Sequence, residues 1–302
     1  MKVRIGTRKS KLALAQTEMF ANALKKRFDD IDTEIVCIST KGDKILDKPL
    51  AMIGGKGVFI SELENALLSG AADMAVHSAK DLPLELADGL EISSALNRGN
   101  YRDVLVTRKN EPIKNEEKFI VGTGSLRRRG FIKKQYPLVQ IKDIRGNVDT
   151  RINKLINKEY DAIILAAAGL ERLSLYNSEK YDVTPFEYSD FLPAPCQAIV
   201  VAESKTGSAI SERLKEISHT ETMLEFETER QIPKLLNADC GMPVGAFSKV
   251  TNGKIELIIS TDCKKTISGS ADIKDRFNLA KRLVASCEQR KSLSCGSRVR
   301  RL

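Results

Sequence analysis

One pattern occurs twice in this chain and limits its fold more than any other feature. Val3-Arg-Ile-Gly-Thr-Arg-Lys-Ser10 and Ile120-Val-Gly-Thr-Gly-Ser-Leu-Arg-Arg128 share one design: a β-rich run, Gly-Thr, a Ser and clustered basic residues leading into a helical period. A strand that feeds directly into a helix opens a βα unit, so two copies predict two α/β lobes. In the first set, residues 2–6, 33–39, 73–77 and 91–96 read as strands. Residues 10–28 read as a helix, as does a segment with Ile60, Leu63, Leu67 and Leu68 on one stripe. In the second set, strands at 103–107, 119–123, 139–144 and 161–166 alternate with helices at 125–136, 147–158 and 168–174. Such alternation predicts mostly parallel sheets. Ligands of open α/β sheets bind beyond the carboxyl ends of the strands, so paired lobes make a natural cleft.

Leu192-Pro-Ala-Pro195 reads as a crossing or hinge, and after about residue 218 the pattern changes. An amphipathic helix over 220–236 (Met223, Leu224, Phe226, Ile232, Leu235) leads to Asn237-Ala-Asp-Cys-Gly-Met-Pro-Val244. Strands at 244–250, 255–261 and 266–272, with Asn252-Gly253 as a hairpin turn, and a helix at 275–289 make a small α+β unit. The tail Arg290–Leu302 is basic and Ser-rich and is expected to fray. A length of 302 residues accommodates all of this.

Composition narrows the function. Forty-nine Lys+Arg against 40 Asp+Glu give a net charge of +9, which favours anionic partners. With no Trp and 5% aromatics, a base-stacking platform is disfavoured. Six scattered cysteines without a C-x-x-C, and two histidines, argue against structural zinc, so no metal is expected. No apolar run is long enough to span a membrane, and the N-terminal charges precede no apolar stretch. The expectation is a cytoplasmic protein with free thiols.

Four constellations could carry chemistry. Ser10 and Ser125 stand where N-caps belong, with Arg8, Lys9 and Lys11 crowding one helix start and Arg127, Arg128 and Arg129 the other. Helix starts of this kind bind anions, or are simply capped and solvated. In Asp143-Ile-Arg145-Gly-Asn-Val-Asp-Thr-Arg151, Asn147 is a candidate cap. Arg145 and Arg151 either face a carboxylate ligand or pair with Asp143 and Asp149. In Val76-His-Ser-Ala-Lys-Asp-Leu-Pro83, a strand end delivers Lys80 and Asp81 into a loop stiffened by Pro83. Asp81 is either a turn residue or a carboxylate that stabilises a cation or relays a proton, and His77 reads as a buried strand-end histidine. Cys240 lies in a turn where a thiol is either reactive or inert, and the residues alone do not choose.

Nine stretches, in this order, make the chain from about residue 3 to about 290 resemble the porphobilinogen deaminase (hydroxymethylbilane synthase) family. They are IGTRKSKLALAQ, TKGD, GGKGVFISELE, AVHSAKDLP, GTGSLRRR, IRGNVDTR, YDAIILAAAGLERL, LPAPCQA and ADCGMPVGA. The resemblance implies two periplasmic-binding-protein-like, doubly wound α/β lobes and a small α+β C-terminal domain. Domain 1 would take residues 1–98 and 197–214, domain 2 residues 102–192 and domain 3 residues 218–290, with 291–302 as a disordered basic tail. It implies a transferase that joins four porphobilinogen units head to tail with loss of ammonia and then releases hydroxymethylbilane with water, in heme biosynthesis. It implies a dipyrromethane cofactor held by a thioether at Cys240, with Asp81 as the catalytic carboxylate. Arg8, Lys56, Lys80, Arg127, Arg128, Arg145, Arg151 and Arg172 would supply cations for the pyrrole acetates and propionates. Ser10, Ser78, Thr123, Ser125 and Gln197 would add neutral donors. The expected partner is porphobilinogen alone, taken by a monomer without nucleic acid or membrane.

Two departures stand out. The family's Gly-Gln-Gly at the crossing is Cys196-Gln197-Ala198 here, and its Gly-Gly before the cofactor cysteine is Ala238-Asp239. Two other classes share some features. A non-catalytic two-lobed carboxylate binder would use the lobes and arginines but give Asp81 and Cys240 no role. A nucleic-acid binder, suggested by charge and tail, would bind with steep salt dependence.

Overall fold

The computed structural model describes residues 1–39, 60–114, 116–238 and 242–296, with side chains as far as 289. Lys56, Asp239 and Cys240 lie outside these residues, as do the Gly-rich stretch at 53–57 and the TKGD stretch.

The first lobe contains β1 (Lys2–Thr7), α1 (Lys11–Arg27), β2 (Asp32–Cys37), α2 (Ser61–Ser69), β3 (Met74–Ser78) and β4 (Leu90–Ala95). The second contains β5 (Asp103–Arg108), β6 (Ile120–Gly122), α3 (Leu126–Gln135), β7 (Gln140–Lys142), α4 (Val148–Ile156), β8 (Ala162–Ala166), α5 (Ala167–Arg172) and β9 (Tyr181–Pro185). The chain then returns through β10 (Val200–Lys205) and α6 (Ala209–Glu216). The two sheets have the same construction. Their orders are β2-β1-β3-β10-β4 and β7-β6-β8-β5-β9. In each, four strands run one way, and the strand next to the edge is reversed and antiparallel to both neighbours. That reversed strand, β5 or β10, is the one the chain makes as it arrives from the other lobe. The motif repeat is therefore a repeat of topology, and β5 and β10 stitch the lobes together.

The faces follow the two-residue period of the strands. Val200 and Ala202 pack with Phe20, Leu24, Ile210 and Leu214 under α1 and α6, whereas Val201 faces Ala79, Ala95 and Phe226. Each fully buried Phe or Leu here contributes about 1.5–3 kcal/mol. Leu68, read as part of the α2 stripe, is instead 44% exposed; Ile60, Leu63 and Leu67 fill that face.

The third unit is α7 (Thr220–Leu235), the meander β11 (Gly245–Thr251), β12 (Lys254–Ser260) and β13 (Ile267–Asp272), and α8 (Arg276–Gly296). Asn252 and Gly253 both take positive φ, 51° and 75°, as a tight hairpin turn requires. Helix α8 runs past the expected end at 289, because nothing in RKSLSC breaks it before Gly296. This unit docks on α3 through Cys263. A Cβ at Gly130 would stand 2.6 Å from the Cys263 Cβ, so only glycine admits the contact. The Cys263 thiol, buried and pushed up to about 11, donates to the carbonyls of Arg127 and Pro243 at 3.4 Å.

Two buried carboxylates hold the three units together. Glu229 of α7, at 0% exposure, takes Arg98 Nη1 at 2.6 Å and Nη2 at 3.1 Å, the Ser248 N–H at 2.6 Å and the Cys196 N–H at 2.6 Å. Asp103, at the start of β5, takes Arg127 Nη1 at 2.7 Å and Arg128 Nη2 at 2.7 Å, and Gln197 Nε2 at 3.2 Å. At the crossing, Cys196 (φ 61°) and Ala198 (φ 69°) keep the left-handed backbone that glycine would adopt freely. The hinge geometry is thus held by neighbours such as Glu229 against a local cost of order 1–3 kcal/mol per residue.

Candidate active site

Of the predicted site residues, those within the described residues gather toward the carboxyl ends of the co-directional strands, where the two lobes face each other; Lys56 and Cys240 lie outside them. Ser10 caps α1, accepting from the Ala13 N–H at 3.2 Å, and Ser125 caps α3, accepting from the Arg128 N–H at 3.4 Å. Arg8, half-buried, follows β1. Asn147 holds the cap position of α4 but makes no side-chain capping bond. Across the opening, Lys11 Nζ meets Asp149 Oδ2 at 3.2 Å.

The Asp81 segment leaves β3 as a single 3-10 turn, Ala79–Asp81. Its base is fixed at two points. The Ala79 N–H donates to the Ile199 carbonyl at 3.0 Å, and Ser78 Oγ accepts from Gln16 Nε2 at 2.9 Å. Asp81 itself is exposed, and among the described residues its carboxylate has neither an ion pair nor a hydrogen bond. Lys80, Arg151 and their neighbours lie within its electrostatic range.

The arginines divide into two groups. Arg127 and Arg128 are buried, and their bonds go inward. Arg127 Nη1 donates to Asp103 and to the Leu192 carbonyl (2.6 Å), and Arg128 donates to Asp103 and the Ile164 carbonyl (2.9 Å). Thr123 is also buried and accepts from the Ser125 N–H at 3.2 Å, and Gln197 spends its amide on Tyr101 and Asp103. These four build the cleft floor. Arg145 and Arg151 are different. The carboxylates that could have neutralised them are taken, Asp143 by Arg129 at 2.6 Å and Asp149 by Lys11. Arg151 Nε donates only to the Gly146 carbonyl, and Arg145 has no hydrogen bond or ion pair among the described residues. Arg172, half-buried, donates to the Ala198 carbonyl at 2.6 Å, beside the hinge.

The cleft therefore carries uncompensated positive charge. Burial, followed by repulsion from Arg128, pulls Arg151 down to about 10, and burial pulls Arg172 to about 10. Lys80 is exposed to solvent at the mouth of the turn, although protein surrounds it at longer range. Desolvation lowers it to about 8, with Arg128 and Arg127 adding to the drop and Asp81 and Asp103 opposing it. A ligand with several carboxylates would relieve all three. The sign of the pH dependence follows. Between about pH 8 and 10.5 the unfolded chain holds the Lys80 proton more tightly than the folded one, so ligand-free protein should gain stability as pH rises through that window. Thermal melting of ligand-free protein at pH 7.5, 8.5 and 9.5 should show this gain in the wild type and lose it in Lys80→Met. Equal pH slopes for the two proteins would refute the assignment.

Sequence reasoning did not find Asp103, Glu229, Arg98, Glu203 or Arg230. Their hydrogen-bond and ion-pair partners lie between 19 and 150 residues away, and no local spacing signals them.

The family model for "Porphobilinogen deaminase, dipyromethane cofactor binding domain" matches residues 3–212. The porphobilinogen deaminase of Rickettsia bellii (strain OSU 85-389) is 44% identical over 257 residues, covering 84% of this chain and 85% of that protein. That of Clostridium acetobutylicum is 39% identical over 290 residues, covering 94% and 98%. Among solved structures, the periplasmic VFT2 domain of Bordetella pertussis BvgS is 16% identical, covering 75% of this chain and 92% of that one at a TM-score of 0.43.

Proposed function

This chain belongs to the porphobilinogen deaminase family, and on that premise we propose that Asp81 is its catalytic carboxylate and Cys240 the attachment point of its cofactor. The reaction is a transferase reaction of tetrapyrrole synthesis. Four porphobilinogen units are condensed with loss of ammonia, and hydroxymethylbilane is released with water. The family's dipyrromethane cofactor supplies the free pyrrole carbon onto which the first unit is joined.

The chain's own residues do three things. Arg145, Arg151 and Lys80, whose charges are not cancelled internally, bind and orient the acidic side chains of pyrroles, with Arg8 and Arg172 at the margins and Ser10, Ser78 and Ser125 as neutral donors. Lys56, outside the described residues, joins them by its place in the GGKG stretch. Arg127, Arg128, Thr123 and Gln197 hold the floor rigid through Asp103 and the α3 N-terminus. Asp81, exposed, lies within electrostatic range of Lys80 and Arg151 of this basic cleft. Loss of ammonia from porphobilinogen leaves a positive charge on the substrate carbon, and a fixed carboxylate is the group that stabilises it. The observation that carries this reading is an exposed carboxylate that, among the described residues, has no ion pair or hydrogen bond of its own and lies within electrostatic range of Lys80 and Arg151.

The division into residues 1–98 with 197–214, 102–192 and 218–290, followed by a tail, is proposed with it, as are a monomeric state, a cytoplasmic location and no nucleic-acid partner. Among the described residues no helix is long and apolar enough to cross a membrane. Intact-mass measurement tests the centre of the proposal. Purified active protein should weigh more than its polypeptide, the increment should map to the peptide with Cys240, and Cys240→Ser should lack it. Active protein of bare polypeptide mass would sink the assignment.

A further inference from the structure

We propose that Arg230, on the helix that leads to the Cys240 segment, is a positioning residue for the Asp81 turn, holding its downstream arm by a two-carbonyl clamp. The inference rests on the reading of Asp81 given above.

The turn needs such a clamp. Upstream, β3 pairing, Ala79 and Ser78 secure it. Downstream comes Leu82-Pro83-Leu84, and Pro83 has no N–H with which to tie the backbone down. The carbonyls there depend on a donor from elsewhere. Arg230 Nη2 supplies it, donating to the Pro83 carbonyl at 2.6 Å and the Leu84 carbonyl at 3.0 Å. One helical turn further on, Lys234 Nζ meets the next side chain, Glu85, at 3.1 Å. Residues four apart share a helix face, so α7 grips three consecutive residues of this arm.

The guanidinium is held from behind. It lies over the Phe226 ring at 5.7 Å, and Glu203 of β10 is within its electrostatic range. Glu203 is wholly buried, and His77 Nε2, at the other end of the same turn, lies 2.9 Å from its Oε2. Neither Glu203 oxygen has a well-aligned donor among the described residues, and the residue links the surroundings of His77, 2.9 Å away, with those of Arg230. The Asp81 turn is thus gripped on one side by its own lobe and on the other by the helix of the third unit. Helix α7 ends at Leu235, five residues before Cys240 in the sequence, so the helix that reaches the Asp81 arm is also the one that leads to the proposed attachment point.

The test uses holoenzyme bearing Arg230→Met, Arg230→Lys, Asp81→Asn and the double variant Arg230→Met/Asp81→Asn. Misplacing a catalytic group by about 1 Å can cost about 100-fold. Arg230→Met should lower kcat by about 10- to 100-fold with KM within about twofold, and keep the cofactor mass. Arg230→Lys should recover part of the loss. Amide exchange should speed up in residues 79–85 and stay unchanged in 162–166 and 255–260. In single turnover, Arg230→Met should add less than about twofold to Asp81→Asn, because its effect passes through that carboxylate. Unchanged kcat and unchanged exchange in 79–85, or a fully multiplicative loss in the double variant, overturns the clamp. Asp81→Asn at the wild-type rate overturns the reading of Asp81 itself, and the inference falls with it, a result that the exchange data cannot mimic.

Discussion

Replacing Asp81 by Asn should slow turnover about 1,000-fold while leaving the fold, the bound cofactor mass and substrate affinity nearly intact. The basis is electrostatic. Asp81 is exposed at the end of a 3-10 turn and has no internal partner among the described residues, so its removal breaks no structural bond and strands no buried group. The same isolation makes it effective. A carboxylate already fixed where positive charge develops does not have to reorganise when the charge appears, and one preorganised group of this kind is typically worth about 10²–10³ in kcat. Asparagine keeps the shape and the hydrogen-bonding oxygen but not the charge, so the variant isolates the Coulomb contribution. The surrounding cations, Lys80 and Arg151, would then face the cationic carbon uncompensated, which pushes the loss to the upper end of that range. Steady-state assays with porphobilinogen, read as kcat and KM separately, decide the matter. A wild-type kcat would return Asp81 to the status of a turn residue. A large rise in KM at constant kcat would make it a binding group and not a catalytic one.

What the sequence made legible and what it hid differ by distance along the chain. Ser10 and Ser125 could be read as caps because a cap and the N–H it accepts from are three residues apart. The two lobes could be read because each strand-to-helix step is local. Strands β9 and β10 are not legible from pattern alone, since each sits in its sheet by pairing with residues 73–81 and 122–130 positions away, respectively. For the same reason the internal partner of Arg127 and Arg128 is not legible in the sequence: Asp103 stands 24 and 25 residues earlier, as the acidic first residue of an apolar strand. By spacing alone Arg145 and Arg151 could face either a ligand or the nearby acids. Only the structure shows that Asp143 and Asp149 are taken by Arg129 and Lys11. The substitutions at Cys196 and Ala198 raised the question of whether the hinge keeps its shape. The backbone does keep positive φ at both, because Glu229, 33 residues on, holds the Cys196 N–H in place.

Those long-range claims make Asp103→Asn the most destabilising single change expected in this protein, at about 3–5 kcal/mol, the scale for removing one partner of a buried charge cluster. Asp103 is at 0% exposure and accepts from both arginines and from Gln197. Burial alone would raise its pKa, but the Arg127 and Arg128 guanidiniums outweigh that and hold it at about 2. Asparagine leaves two guanidiniums buried without a counter-ion, and the amide's own N–H₂ group would meet one of them. At about 2–4 °C per kcal/mol for a unit of this size, the melting temperature should fall by about 10 °C. The pH dependence has a definite sign. A depressed carboxyl contributes stability that is complete above its ordinary value of 3.8 and is lost as pH falls from there toward 2, so the gap between wild type and variant should close on acidification. Removing one of the stranded charges as well, in Asp103→Asn/Arg127→Met, should recover part of the loss at neutral pH, since the residual cluster then has one uncompensated cation instead of two. Melting temperatures for the wild type, both single variants and the double variant at pH 7 and pH 3 test each step. If Asp103→Asn melted within 2 °C of wild type at pH 7, the cleft floor would not depend on this ion cluster, and the rigid placement of Arg128 beside Lys80 would need another cause.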